Sequence, residues 1–312
     1  MNKPEILLTS LMMTVLLSCA DEKTPFTFNK NDEGVEVLEN SKPVFFYRRK
    51  PKISQGKYIC SNYIHPLYSL GGDTLTEEFP ADHPYHRGIY WAWHQHYIGE
   101  NSIGDGWFME EVTYDVAEVK TDAGPGKAQL DLHVLWRSKN YENGKPYMDE
   151  HTTIIVRPST GDYRVIDFRI ALRALVPGVS LGGSDNEKGY GGFCCHIRTP
   201  GDLTFISSTG RVTPQTLQVK AGPWMDFSGT FGKEGKPSGL TLMCHKSDPG
   251  YPQPWILRQK GSMQNIVWPG RERVAVPTDK PVVLRYRLVV HEGDSDRADL
   301  RALQKEYNAL RY

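Results

Sequence analysis

Hydrophobic and polar residues alternate along this chain in short runs, and those runs set the first expectations. Within 130–136, Leu130, Leu132, Val134 and Trp136 take every second position, with Asp131 and His133 between them. A period of two puts alternate side chains on opposite faces of a strand. The same period shows in 163–172 from Ile166 onwards. Pattern and β-branched or aromatic content together predict strands at 34–38, 44–48, 89–93, 129–136, 152–156, 164–172, 239–244 and 282–290. Turn residues separate them, as in Asp122–Gly126, Asn143–Pro146, Ser159–Asp162 and Gly232–Gly235. The Asn and Asp residues near 139–149 read as hairpin surface. Helical spacing appears only at the end. There Asp294 and Ser295 offer N-caps, and Ala298, Leu303, Tyr307 and Leu310 mark an apolar stripe on 296–310. The predicted fold class is all-β, a large antiparallel β-sandwich with a short C-terminal helix. Residues 31–312 contain no repeat or linker and read as a single domain.

Composition narrows the classes of function. With 39% hydrophobic residues in 312, wholesale disorder is excluded. Lys+Arg and Asp+Glu both number 37 and the net charge is +0. A nucleic-acid binder normally carries a basic surplus, so that partner is set aside. The aromatic share of 11% suits a sugar-handling surface and a plain β core equally well.

The amino terminus reads as an address. Lys3 supplies a positive start, Ile6 to Leu17 an apolar stretch, and Leu16-Leu17-Ser18-Cys19 resembles a lipobox. That resemblance to bacterial lipoprotein signals implies a signal peptide at 1–18, cleavage before Cys19 and lipidation of its thiol. Residues 19–30 then read as a tether. The expected location is lipid-anchored in the bacterial outer membrane, periplasmic or surface-exposed, with the anchor as the only membrane contact. Four further cysteines, Cys60, Cys194, Cys195 and Cys244, could pair in three ways. Adjacent strand residues face apart, so Cys194 and Cys195 are poor partners, and burial as small hydrophobes is the plainer reading.

The densest polar segment is 74–107. Four of the ten histidines, His83, His86, His94 and His96, fall within fourteen residues of it. In Asp82-His83-Pro-Tyr-His86-Arg87-Gly88, two imidazoles three apart in a Pro-containing loop can converge on one metal ion or one substrate oxygen. Arg87 keeps its proton and would act as an electrostatic clamp, or as counter-charge to Asp82. His94 and His96, two apart, would share a strand face and could present two ligands to a divalent metal. Glu77, Glu78, Asp82 and Asp105 are the acids able to complete such a site. The plain alternatives are a loop whose histidines bond only to backbone, and a polar sheet face.

A second cluster, Gly182 to Phe193, brings Asp185, Glu187 and Lys188 to a glycine-rich loop, followed by His196 and Arg198 on one strand face. The glycines suit a mobile loop that approaches a ligand, though no phosphate loop is present. A third group comprises Pro223–Gly229, His245, Asp248 and the Pro-rich stretch to Trp255. It could form a stacking platform for a sugar ring, or simply a rigid loop.

These residues resemble a known family. His65-Pro66, Thr76, Asp82 to Gly88, Gly106-Trp107, Glu187 to Phe193 and Asp226-Phe227-Ser228-Gly229 resemble the bacterial family labelled methane oxygenase PmoA. The label is not literal, because methane oxidation's membrane subunit needs several spans and this chain has none after its signal. The resemblance implies a secreted domain met among carbohydrate-degrading functions, with a fold similar to the galactose-mutarotase-like supersandwich. His196 departs from the pattern, where an ordinary core residue or an arginine is expected.

Three functions follow as expectations. The first is an enzyme that cleaves a glycan or modified sugar, a hydrolase or lyase, with His83, His86, Arg87 and Glu187 catalytic. Asp82, His94, His196, Trp107, Lys188 and Trp255 would bind the substrate. No definite cofactor is implied, though His83, His86, His94 and His96 could hold a divalent metal. The second is a carbohydrate-binding lipoprotein without catalysis. The third is a mutarotase or epimerase acting on free sugars.

Overall fold

The computed structural model describes residues 24–311, apart from 233–234, 262 and 295–297. Among these residues two large antiparallel sheets carry the fold. The first runs, in spatial order, through Phe26–Asn31, Gly34–Glu39, Lys42–Arg48, Tyr63–Leu67, Ile89–Trp93, Gly191–Cys195, Gln264–Val267 and Trp255–Ile256. The second runs through Val112–Gly124, Lys127–Ser138, Pro146–Val156, Tyr163–Ala174, Val282–Glu292, Ser238–Cys244, Trp224–Gly229, Thr204–Ser207 and Gly210–Arg211. A smaller sheet joins Val274–Ala275, Val179–Gly182, Gln95–Ile98 and Asn101–Gly104.

Alternation decides which face of each strand turns inward. Along Lys127–Ser138 every even position is buried, and the neighbouring Pro146–Val156 buries its even positions 148 to 156 in register, Val134 opposite Glu150. Aromatic rings close the gap between the sheets. Trp93 meets Trp136 at 5.6 Å, Phe193 meets Tyr286 at 4.5 Å and Trp91 meets Phe168 at 6.5 Å between centroids. Each pair spans the two sheets, so the arrangement is a sandwich. Removing one such ring costs about 3–5 kcal/mol. The Glu150 carboxyl is buried in this seam, where it accepts from Asn62 Nδ2, Trp136 Nε1 and Thr152 Oγ1. Burial is the larger influence on it and raises its pKa.

The long strand Val112–Gly124 forms one edge of the second sheet and is bulged between Val116 and Glu118. On the solvent side of that sheet lies the helix Leu300–Ala309, capped by Asp299, whose side chain accepts from the Ala302 N–H at 2.9 Å. Leu300, Leu303 and Tyr307 pack on Val165, Trp224, Met243 and Val289. The helix starts later than the expected 296, because Asp299 provides the cap that was assigned to Asp294 or Ser295; Ser295 lies outside the described residues. Of the Asn and Asp residues near 139–149, Asn140 and Asn143 are exposed as expected, but Asp149 is buried, because it stands on the strand Pro146–Val156. Part of the expected tether is also ordered as strand. Phe26–Asn31 pairs with Gly34–Glu39 and Phe26 is buried, since the alternating Phe26 and Phe28 give that stretch an apolar face. The expected signal peptide 1–18 and the lipidation site Cys19 lie outside the described residues. Cys60, Cys194, Cys195 and Cys244 are all buried and unpaired. Among the described residues no helix is long and apolar enough to cross a membrane.

The chain bends at His94, leaving the first sheet after Trp93 and entering the small sheet at Gln95. The bend sends His96 inward, where Nδ1 lies 2.7 Å from the Tyr147 hydroxyl and Nε2 3.0 Å from the Trp93 carbonyl. A carbonyl can only accept, so Nε2 carries the hydrogen and Nδ1 accepts from Tyr147. Burial, the largest influence, lowers the His96 pKa to about 4, with the Asp105 charge and the Trp93 carbonyl opposing it. An unfolded histidine titrates near ~6.5. As pH falls from there towards 4 the unfolded chain takes up a proton that the folded chain refuses, so stability is lost on acidification. Urea titrations between pH 6.5 and 4 should show wild type losing up to about 3 kcal/mol more than His96→Gln. At pH 7, Tyr147→Phe should cost about 1–3 kcal/mol in the same measurement, because it strips Nδ1 of its donor.

Candidate active site

The loop that carries His83 and His86 lies against the first sheet through backbone bonds. Gly88 N–H donates to the Glu77 carbonyl at 2.8 Å, His196 N–H to Gly88 at 2.7 Å, and Phe79 N–H to His86 at 2.8 Å. Gly88 has φ +46, and a Cβ there would lie 1.9 Å from the Ile64 carbonyl oxygen. Only glycine permits that approach. The loop thereby stacks rings in order. His83 lies on His86 at 4.7 Å with the planes 9° apart, and His86 meets His196 at 5.1 Å. Burial, then the neighbouring His196 and His83, holds His86 well below the usual histidine range. Burial, with His83 adding to it, lowers His196 to about 4. Both are therefore neutral imidazoles at neutral pH.

Beside this stack opens a cavity of about 570 Å³, within the ~300–1,000 Å³ usual for small-molecule sites. Its walls include His83, His86, Tyr85, Trp107, Phe108 and Tyr190. Tyr190 comes from the glycine loop, which is pinned rather than mobile: Ser184 N–H donates to the Tyr190 carbonyl at 2.7 Å, and Tyr190 N–H to Ser184 Oγ at 2.9 Å. Trp107 stacks on Tyr190 at 5.7 Å and on His94 at 5.1 Å. Four carboxylates face the cavity, Asp105, Glu110, Glu111 and Asp185, and no lysine or arginine does so among the described residues. Three of these acids pair outward, Glu110 with Lys57, Glu111 with Lys139 and Asp185 with Arg271.

Asp105 is different. Its Oδ1 accepts from the N–H groups of Trp107 and Phe108, both at 2.8 Å, and its Oδ2 lies 2.8 Å from His94 Nδ1. The carboxylate can only accept, so Nδ1 holds the hydrogen and Nε2 keeps the lone pair. That Nε2 is buried without a hydrogen-bond partner among the described residues. A histidine oriented by a carboxylate, with its other nitrogen unspent, is the arrangement of a general base.

The expected residues divide sharply. His83, His86, His94 and Trp107 line the cavity. His196 lies fully buried against His86 and off the wall, with Glu77 Oε2 3.6 Å from its Nε2. Arg87 does not act as a clamp in the cavity: it is fully buried, its Cζ 4.4 Å over the Tyr90 ring and Nη1 donating to the Tyr85 carbonyl. Asp82 is exposed, 3.1 Å from His83 Nδ1 but without hydrogen-bond geometry. Glu187 is exposed and off the wall, leaving Asp185 and Asn186 to line it, because the loop turns back on Ser184. Lys188 lies over the outer side of Tyr190 and lines a separate shallow depression. Trp255 is fully buried with Nε1 donating to Gly222, so no face is free for a sugar. The expected metal set of His83, His86, His94 and His96 does not assemble: the bend at His94 turns His96 away, and no three of them bring ligand nitrogens within 4.8 Å of one another. Tyr85, Phe108 and Tyr190 escaped the sequence reading. Asp105 was noted there only as an acid; Asp-Gly ahead of two aromatic residues is the turn signal that could have revealed its grip on the following N–H groups.

Among curated proteins, none matches the sequence. Among solved structures, a chain from Salmonella typhimurium, YeaD, named a "putative mutarotase", is 10% identical over 86% of this chain and 94% of its own, with a TM-score of 0.32. At that score the likeness carries no argument about fold or substrate. A family model described as "Family of unknown function (DUF6807)" matches residues 34–305, a span that takes in the cavity walls, nearly all of both large sheets and the start of the helix. The chain belongs to this DUF6807 family.

Proposed function

We propose that the cavity receives a small neutral carbohydrate and that His94 moves a proton on it, interconverting anomers or epimers without cutting the chain. The observation that carries this reading is the His94–Asp105 pair, with an unspent Nε2 among aromatic walls. In anomer exchange, Nε2 takes the anomeric hydroxyl proton and the ring carbon–oxygen bond breaks. The resulting imidazolium, stabilised by Asp105, returns the proton to the former ring oxygen. Rotation and reclosure then give the other anomer. His86, kept neutral by burial, is suited to hydrogen bonding with a hydroxyl rather than to supplying a proton. Trp107 and Tyr190 offer apolar faces to the ring. The sequence resemblance, with its carbohydrate associations, supports the same ligand class. The lipobox-like start supports an extracytoplasmic setting on a lipid anchor at Cys19.

Cleavage, the leading expectation from sequence, has less support, because Arg87 and Glu187 stand outside the cavity. A binding module without catalysis is favoured by the aromatic wall alone, so the test must separate it. Anomer exchange of monosaccharides should be followed by NMR, alongside mass analysis of oligosaccharides. Wild type should accelerate exchange at unchanged mass, and His94→Ala should lose about 10²–10⁴-fold in rate with affinity nearly kept. A hydrated or unsaturated product, or saturable binding with no exchange, would overturn the reading. The lining also sets a charge preference. Calorimetry should show a neutral hexose binding about tenfold or more tightly than its uronate, since four carboxylates and no lysine or arginine face the ligand.

A further inference from the structure

The solvent side of the second sheet carries a group of side chains that the cavity does not use. His133 and His151 stand directly opposite each other on neighbouring strands, their rings stacked at 4.6 Å with the planes 4° apart. Asp149, two residues before His151, shares that face. Its Oδ1 lies 2.8 Å from His133 Nε2 and 3.4 Å from His151 Nε2. Its Oδ2 is held by Arg173 Nη2 at 2.6 Å, from the next strand in register. One carboxylate oxygen and two imidazole nitrogens therefore lie within 4.8 Å of one another, the one such group among the described residues.

These separations suit a metal ion. Nitrogen and oxygen donors at about 2.0–2.1 Å from a tetrahedral ion stand roughly 3.3 Å apart. The two distances to Oδ1 bracket that value; the stacked rings must turn out of their parallel arrangement for both lone pairs to meet one ion, a side-chain movement that leaves the backbone fixed in the sheet. Arg173 orients the carboxylate from behind, as outer partners of metal ligands commonly do. We propose that His133, Asp149 and His151 bind one divalent transition-metal ion, with Zn²⁺, Ni²⁺ and Cu²⁺ as the fitting class. Two imidazoles with a single carboxylate oxygen are too nitrogen-rich for Mg²⁺ or Ca²⁺, which take oxygen ligands. His151 is 61% exposed, so an ion arrives from solvent and at least one coordination position stays open to water.

The test uses the tag-free chain, stripped with chelator and titrated calorimetrically with ZnCl₂ and NiCl₂. Saturable binding of one ion at low-micromolar or tighter affinity is expected. His151→Ala and His133→Ala should each weaken it about tenfold or more, and His94→Ala should leave it unchanged. Bound Cu²⁺ should show nitrogen couplings from two imidazoles by electron paramagnetic resonance, reduced to one in His151→Ala. His151 is exposed, so its variant should fold, which circular dichroism checks; Asp149→Asn provides a second variant that keeps the shape. Absence of saturable binding, or binding indifferent to both histidine substitutions, would overturn the proposal.

Discussion

The site rests on how closely one loop can lie on the first sheet. At Gly88 the backbone passes so near the Ile64 carbonyl that no side chain fits, and the positive φ there suits glycine alone. Through that contact the Glu77, Gly88 and His196 backbones exchange hydrogen bonds, and the loop becomes an extension of the sheet. His86 is then held above His196 and beside Trp107 by backbone geometry rather than by side-chain packing alone. A loop tied in this manner pays little ordering entropy when a ligand arrives.

The histidines of this protein show how one residue type divides by environment. His96 spends both ring nitrogens on Tyr147 and Trp93 and is a structural element of the interior. His291 is buried too, the largest single influence and one that depresses its pKa, but the bond to Asp226 at 2.8 Å, that carboxylate's charge and the Glu292 and Gly293 backbone together raise it. His94 keeps one nitrogen unbonded among the described residues because Asp105 takes only the other. His133 and His151 stay near solvent on a rigid sheet. Partner and access set these roles, and neither is a property of the residue itself.

Much of the architecture was legible because strand alternation is a local signal. Leu130 to Trp136 announced its buried face, and the strand at 89–93 was placed to the residue. The site was legible only as a neighbourhood. His83, His86, His94 and Trp107 were found because they crowd together in sequence. The pairing of His94 with Asp105 was hidden by ten intervening residues and a fold-back that spacing does not encode. Arg87 was misassigned because its neighbour Tyr90 becomes a stacking surface only when the strand turns that face towards it. His96 was misassigned because the expected continuous strand is broken at His94. Phe26–Asn31 was missed because only two apolar residues, Phe26 and Phe28, mark its inner face, and so short an edge strand reads as a tether until its partner is beside it.

The bulge in Val112–Gly124 has a consequence for life at high local concentration. An outermost strand this long offers a row of amides and carbonyls outside the ladder, of which only some, such as the Tyr114 and Gly124 carbonyls, find side-chain donors in Ser61 and Thr24; the rest are a template onto which another molecule's strand could add. The extra residue between Val116 and Glu118 breaks the regular spacing of that row, and Asp115, Glu118, Lys120 and Asp122 line the same stretch with charge. Copies at high concentration would then meet a margin that resists fibrous or sheet-to-sheet aggregation.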